Sequence, residues 1–146
     1  FLDEPTNGVD PVSRREFWDI VGELRQRITI VVATPAMDEA ERCDQVALMA
    51  DGQFLAFATP DALRARVTTP VWEVDVGHPF AASEALSAHL PAEAVQLFGD
   101  RLHVVLDVEP GNLSTILEQS GHAARVRRVE PSMEDAYVKL VTGATP

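Results

Sequence analysis

The chain has 146 residues, enough for one ordinary domain or two very small ones, and its 46% hydrophobic and 24% charged residues are the balance of a globular protein. Its 23 acids against 12 Lys and Arg leave a net charge of −11, which argues against nucleic acid as a partner, because phosphates are neutralised by basic patches. No run approaches the roughly 18 apolar residues that cross a bilayer, and no stretch has the layout of a signal peptide.

Pro11 to Arg27 reads as a helix, with Asp10 as N-cap, Pro11 at the first position and Phe17, Ile20, Val21 and Leu24 as an apolar stripe. Ile28 to Val32 is a continuous β-branched run, the pattern of a strand covered on both faces in a parallel sheet. Met37 to Arg42 reads as a short acidic helix. Val46 to Met49 and Phe54 to Ala58 flank Asp51-Gly52, a strong hairpin signal. Thr59-Pro60 opens another helix that ends by Val67, and Thr68-Thr69-Pro70 reads as a linker.

Beyond Pro70 the texture changes. Trp72, Val74 and Val76 alternate with acids as a half-buried strand, and Phe80 to Leu90 reads as a helix. Strands follow near Ala94 to Phe98 and Leu102 to Leu106, turning at Gly99-Asp100. Then come a helix around Leu113, Ile116 and Leu117 that stops at Gly121, and a strand from Arg125 to Val129. Ser132 and Asp135 have the spacing of a capping box that opens a last helix, with Met133, Ala136, Tyr137 and Leu140 inward. The order strand, helix, strand, strand, helix, strand is that of a ferredoxin-like unit. The expected fold is therefore α/β, divided into residues 1–69 and a small α+β domain over 70–146.

Few side chains offer chemistry. Cys43 is the single cysteine, so there is no disulfide framework or thiolate cage. His78, His89, His103 and His122 lack zinc-ligand spacing and read as unrelated surface or half-buried imidazoles. Arg125, Arg127 and Arg128, like Glu73, Asp75, Asp107 and Glu109, read as solvated strand faces, and Trp18 and Trp72 as packing residues. The concentration of acids in Leu2-Asp3-Glu4-Pro5-Thr6-Asn7-Gly8-Val9-Asp10-Pro11 is different. Neighbouring strand residues point to opposite faces, so Asp3 and Glu4 can serve one site only where a strand ends and turns. There one carboxylate can hold hydrated Mg²⁺ while the other orients and deprotonates a water attacking a phosphoryl group. For a bare acidic pair before proline, a simple polar turn is the favoured reading.

The full stretch resembles the Walker B and D-loop segment of ATP-binding-cassette (ABC) ATPases. The resemblance makes Asp3 the magnesium-associated residue and Glu4 the catalytic base. Asn7-Gly8-Val9-Asp10 becomes the D-loop, with Asp10 reaching toward a second nucleotide-binding domain. Residues 29 to 63 resemble the strand, switch region, hairpin and following helix of the same family, with Met37-Asp38-Glu39-Ala40-Glu41 and Asp51-Gly52-Gln53 particularly close. The nearest subgroup is the ABC-2-type and multidrug exporters, whose C-terminal accessory domain the region after Pro70 resembles. The resemblance implies ATP and Mg²⁺ as cofactors in a full-length protein, a transmembrane permease subunit and a second nucleotide-binding domain as partners, and a cytoplasmic location on the inner face of the cell membrane.

Two departures qualify it. The family's switch histidine falls at Pro35, and proline has neither a side-chain donor nor an N–H for a γ-phosphate. Either the site is degenerate and paired with a competent one, or Glu4 suffices and Pro35 shapes the turn. No phosphate loop G-x-x-x-x-G-K-[ST], signature sequence or glutamine loop is found in the chain. The expectation is thus the C-terminal part of a P-loop ATPase sheet followed by an accessory domain, a fragment that alone neither binds nor hydrolyses ATP. The alternatives are a non-catalytic dimerisation or regulatory module carried by residues 70–146, and a free-standing hydrolase using Asp3 and Glu4, for which the chain offers no scaffold. An apolar strand without its neighbours leaves edges that pair with other chains. The isolated chain is therefore expected to associate in light-scattering chromatography, and a clean monomer at high concentration would count against this.

Overall fold

The computed structural model describes residues 1–144 as a mixed α/β protein with small sheets, in two compact units, Phe1–Arg42 and a second from Cys43 onward. The first contains strand β1 (Leu2–Asp3), helix α1 (Pro11–Leu24), strand β2 (Val32–Ala33) and helix α2 (Met37–Ala40). β1 and β2 pair in parallel, Leu2 opposite Val32 and Asp3 opposite Ala33. Asp10 caps α1, its Oδ1 accepting from the N–H groups of Val12 at 3.0 Å and Ser13 at 3.1 Å. This satisfies donors that a helix start leaves orphaned.

Two sequence expectations need correction here. The apolar run Ile28 to Val32 is not a strand; pairing begins only at Val32, and Ile28 and Val31 are exposed. β-branched residues favour extended backbone, but a ladder forms only where a partner strand supplies its N–H and C=O groups, and β1 supplies two positions. Nor is the stripe of α1 buried as predicted, since Ile20 and Leu24 are exposed. Trp18 is the buried residue instead. It packs edge-on against Phe17 with centroids 5.5 Å apart, and the Arg42 guanidinium lies 5.9 Å from its ring centroid.

The second unit opens with a hairpin, β3 (Val46–Ala50) and β4 (Gln53–Ala58). Asp51 and Gly52 both have positive φ, 49° and 75°, the turn whose twist matches that of the strands. Helix α3 (Pro60–Arg64) follows, capped by Thr59 and anchored by the fully buried Leu63. A four-stranded antiparallel sheet then forms from β5 (Val71–Val76), β6 (Val95–Phe98), β7 (Arg101–Val105) and β8 (Ala124–Val129), in the spatial order β6-β7-β5-β8. Helices α4 (Pro79–Ser87) and α5 (Pro110–Gln119) connect β5 to β6 and β7 to β8. One core joins Val74, Leu102 and Val104 of the sheet to Ala82 and Leu86 of α4 and Leu113 and Leu117 of α5. The Trp72 indole N–H donates to the Leu106 carbonyl at 3.1 Å, so both tryptophans are packing residues.

Strand alternation puts Glu73 and His103 in the opposite set of positions from Val74, Leu102 and Val104. There α6 (Met133–Ala144) is tied down by its own N-cap. The capping box forms reciprocally: the Asp135 N–H donates to the Ser132 hydroxyl, while Asp135 Oδ2 accepts from the Ser132 N–H at 2.7 Å and hydroxyl at 2.8 Å. Asp135 also takes the ring Nδ1 of His103, at 3.0 and 3.1 Å to its two oxygens. His103 is therefore no surface imidazole but 3% exposed, with Glu73 Oε2 3.8 Å from its Nε2. Glu73 in turn pairs with Arg127 across β5 and β8, so Glu73 is a half-buried, paired residue, while Arg127 stays on the solvated face.

Burial alone would raise the Asp135 carboxyl, but the hydrogen bonds from His103 and Ser132 outweigh it and hold the group below its ordinary value. A depressed folded-state value means stabilisation that is whole above the unfolded value of about 4 and is lost as pH falls through the folded one. Unfolding midpoints measured from pH 6 down to pH 2 should therefore fall at the acid end, and Asp135→Asn should flatten that part of the curve. The same substitution should cost about 2–3 kcal/mol in urea unfolding near neutral pH, because it strips a buried charged partner from His103.

Candidate functional site

β1 and β2 run in parallel, so their carboxyl ends lie side by side, the place where open α/β sheets usually present ligand-binding residues. Asp3 ends β1 opposite Ala33, and Glu4 follows, its N–H donating to the Ala33 carbonyl at 2.8 Å. Pro35 stands two residues past Ala33, in an exposed bend. Asp3, Glu4 and Pro35 are thus assembled at one end of the strand pair. Asp10 is the N-cap of α1. The Ser13 and Val12 hydrogen bonds hold its carboxyl below the ordinary aspartate range.

Glu4 has φ = +42°, one of two non-glycine residues with positive φ among those described. L-residues pay about 1–2 kcal/mol for this left-handed conformation. It breaks the strand alternation at the point where the two carboxylates adjoin. Two turns follow, closed by the Asn7 N–H on the Glu4 carbonyl and the Val9 N–H on the Thr6 carbonyl, each at 3.1 Å. Pro5 suits the second position of the first turn, and Gly8 supplies the positive φ of 72° that the third position of the other requires. The side-chain amide of Asn7 reaches back to Glu4 Oε2 at 3.0 Å, steering an exposed carboxylate.

Sequence reasoning missed the residue that fastens this loop. Glu39, in α2, is 1% exposed. Its Oε1 accepts from the Thr6 hydroxyl and from Arg14 of α1, Nε at 3.2 Å and Nη2 at 2.9 Å. Arg14 also bridges to Asp38 at 3.0 Å. Burial pushes the Glu39 carboxyl up, but the bonds from Thr6, Thr34 and Arg14 prevail and leave it below the ordinary glutamate range. In the sequence Glu39 is one acid among several in Asp38-Glu39-Ala40-Glu41, and its partners lie 25 and 33 positions away.

The donor set fits a hard cation held jointly with phosphates. Asp3 and Glu4 offer exposed oxygen ligands, and Mg²⁺ takes one or two carboxylates and keeps waters rather than a full protein cage. Among the described residues there is no group of three or more His, Cys, Asp or Glu positioned to hold a metal alone.

Comparison with known proteins agrees with the resemblance seen in the motif. The chain is 49% identical over 67 residues to the probable multidrug ABC transporter ATP-binding protein YbhF of Escherichia coli, a stretch covering 45% of this chain and 12% of that protein. It is 45% identical over 67 residues to ATP-binding cassette sub-family A member 17 of Rattus norvegicus, covering 44% of this chain and 4% of that one. It is 47% identical over 60 residues to the human retinal-specific phospholipid-transporting ATPase ABCA4, 40% of this chain and 3% of the relative. Over somewhat less than half its length, then, the chain is homologous to ATP-binding proteins of ABC transporters, and the matched stretch is an eighth or less of each of these relatives. No family model matches the chain.

The strained backbone at Glu4 makes a direct prediction. Glu4→Gly should leave the thermal midpoint unchanged or raise stability by up to ~1 kcal/mol, whereas Glu4→Val should lower it by about 1 kcal/mol or more. A calorimetric comparison of the two variants checks this, and equal destabilisation by both would show that the left-handed conformation carries no cost.

Proposed function

We propose that this chain is the C-terminal portion of the ATP-hydrolysing subunit of an ABC exporter, with Asp3 and Glu4 as its hydrolytic carboxylates. The observation that carries the reading is the pair's position at the joined ends of two parallel strands, with Glu4 turned out of the strand by a positive φ. The 49% identity to an ABC ATP-binding protein supports it. In this reading residues 1–69 belong to the nucleotide-binding domain and 70–146 form a ferredoxin-like accessory domain. The sheet order β6-β7-β5-β8, with helices on the first and third connections, supports the latter. Among the described residues no helix is long and apolar enough to cross a membrane. Transport then requires a membrane partner, a permease subunit, on whose cytoplasmic side the ATPase would sit.

The chemistry follows from the side chains. Mg²⁺, when bound with ATP, neutralises charge on the phosphates, and Asp3 would hold it through water. Glu4 would accept the proton of the attacking water, a role that requires an exposed, aimed carboxylate. Asn7 restrains that carboxylate by its bond to Oε2. Pro35, at the end of the neighbouring segment, has no donor to offer a γ-phosphate, which leaves Glu4 as the residue acting on the water. Asp10 would reach the second nucleotide-binding domain while its Oδ1 still caps α1. The chain contains no phosphate-cradling loop, so nucleotide binding would rest on other parts of the ATPase.

In the ATPase as its cell makes it, Glu4→Gln should bind ATP and lose hydrolysis by at least about 10²-fold, the usual loss on removing a general base. Undiminished phosphate release would remove Glu4 from the role. Pro35→His should raise turnover if the native site is degenerate, and leave it unchanged if Glu4 already suffices.

A further inference from the structure

Of the first ten residues only Thr6 is buried. The loop that carries Glu4 therefore has one inward anchor, and that anchor is the Thr6 hydroxyl on Glu39. The Glu39 carboxylate also takes the Arg14 guanidinium, from the first turn of α1. One buried carboxylate thus joins the loop after β1 to the start of α1. The Glu4 carboxylate itself is exposed, and among the described residues its side-chain partner is Asn7 of the same loop. Nothing on the Glu4 side chain fixes its aim from outside the loop.

We propose that Glu39 is a positioning residue for the hydrolytic pair, setting the direction of Glu4 through Thr6. The inference rests on the hydrolytic reading of Asp3 and Glu4. Glu39 touches no reacting atom; it acts through the loop. The Thr6 hydroxyl and the Arg14 guanidinium both donate to its Oε1, and a carboxylate accepts from both without a donor of its own. That oxygen ties the loop after β1 to the first turn of α1.

The test uses the ATPase as its cell makes it, assembled with its partner, and reads kcat, the KM for ATP and the thermal midpoint together. Thr6→Val keeps the shape of the side chain and removes the hydroxyl. It should lower kcat by about 10–100-fold, the scale on which misplaced catalytic groups lose rate, while KM moves less than about threefold. Thr6→Ser, which restores the hydroxyl, should recover most of the rate. Glu39→Gln should behave as Thr6→Val does, and where it fails to fold the two Thr6 variants carry the test. Thr6→Val with wild-type kcat, or with kcat lost in step with the thermal midpoint and not recovered by Thr6→Ser, would overturn the positioning role. Glu4→Gln run alongside keeps the two claims separate: hydrolysis that survives Glu4→Gln sinks the hydrolytic reading itself, whereas hydrolysis lost in Glu4→Gln but intact in Thr6→Val sinks only the inference about Glu39.

Discussion

The structure of residues 1–42 depends on one buried charge. Only Thr6, Trp18 and Glu39 are buried in that unit, and two of the three are bonded to each other. An ionised carboxylate taken out of water costs several kcal/mol unless its lone pairs are filled. Here the Thr6 hydroxyl and the Arg14 guanidinium donate to Oε1, and the group stays below the ordinary glutamate range despite burial. The specificity that an apolar core would normally provide comes in this unit from the direction of hydrogen bonds. A hydrophobic contact tolerates rotation and sliding, whereas a carboxylate shared among three donors fixes both distance and angle. That suits a region whose task in the proposed function is to aim an exposed side chain.

The second unit is built on the opposite plan. Leu86, Leu102, Val104, Leu113 and Leu117 are fully buried, and each Leu or Val so placed contributes roughly 1.5–3 kcal/mol. Polar residues there are few and local to α6. Asp135 serves twice, closing the capping box and holding His103, so the start of α6 and the middle of β7 are joined by one carboxylate. Because the Asp135 carboxylate is ionised and can only accept, the His103 ring proton on that side must sit on Nδ1. Its Nε2 then faces toward Glu73, whose other oxygen is held by Arg127. Buried charge in this unit connects elements that the apolar core has already brought near.

Features whose cause is local in sequence were legible. Asp51-Gly52 forms its hairpin because both positions need positive φ, Asp10 and Thr59 cap because their oxygens reach the next N–H groups, and Ser132 and Asp135 close a box within one turn. Features caused by distant partners were not. Nothing in Asp38-Glu39-Ala40-Glu41 distinguishes the acid that will be buried, because its burial is decided by Thr6 and Arg14. His103 lies 32 positions from Asp135, and its strand reads the same whether its partner is water or a carboxylate. The Ile28 to Val32 run failed for a related reason: propensity describes what a segment can pair with, and pairing is a property of two segments. The candidate site was half legible. Asp3, Glu4, Asn7 and Pro35 were singled out from the motif, whereas the part Glu39 plays in holding Thr6 was not.

The strain at Glu4 and the anchor at Glu39 belong to one arrangement. Two adjacent carboxylates on a strand diverge, and convergence requires one backbone torsion outside the extended region. Glu4 adopts it, and a residue held in a left-handed conformation persists only when its surroundings over-determine it. Before Glu4 the constraint is the ladder, with the Glu4 N–H on the Ala33 carbonyl. After it, the constraint is the turn through Pro5 to Asn7 and, beyond the turn, the Thr6 hydroxyl on a buried charge. The buried Glu39 therefore lies within the same mechanical unit as the exposed Glu4.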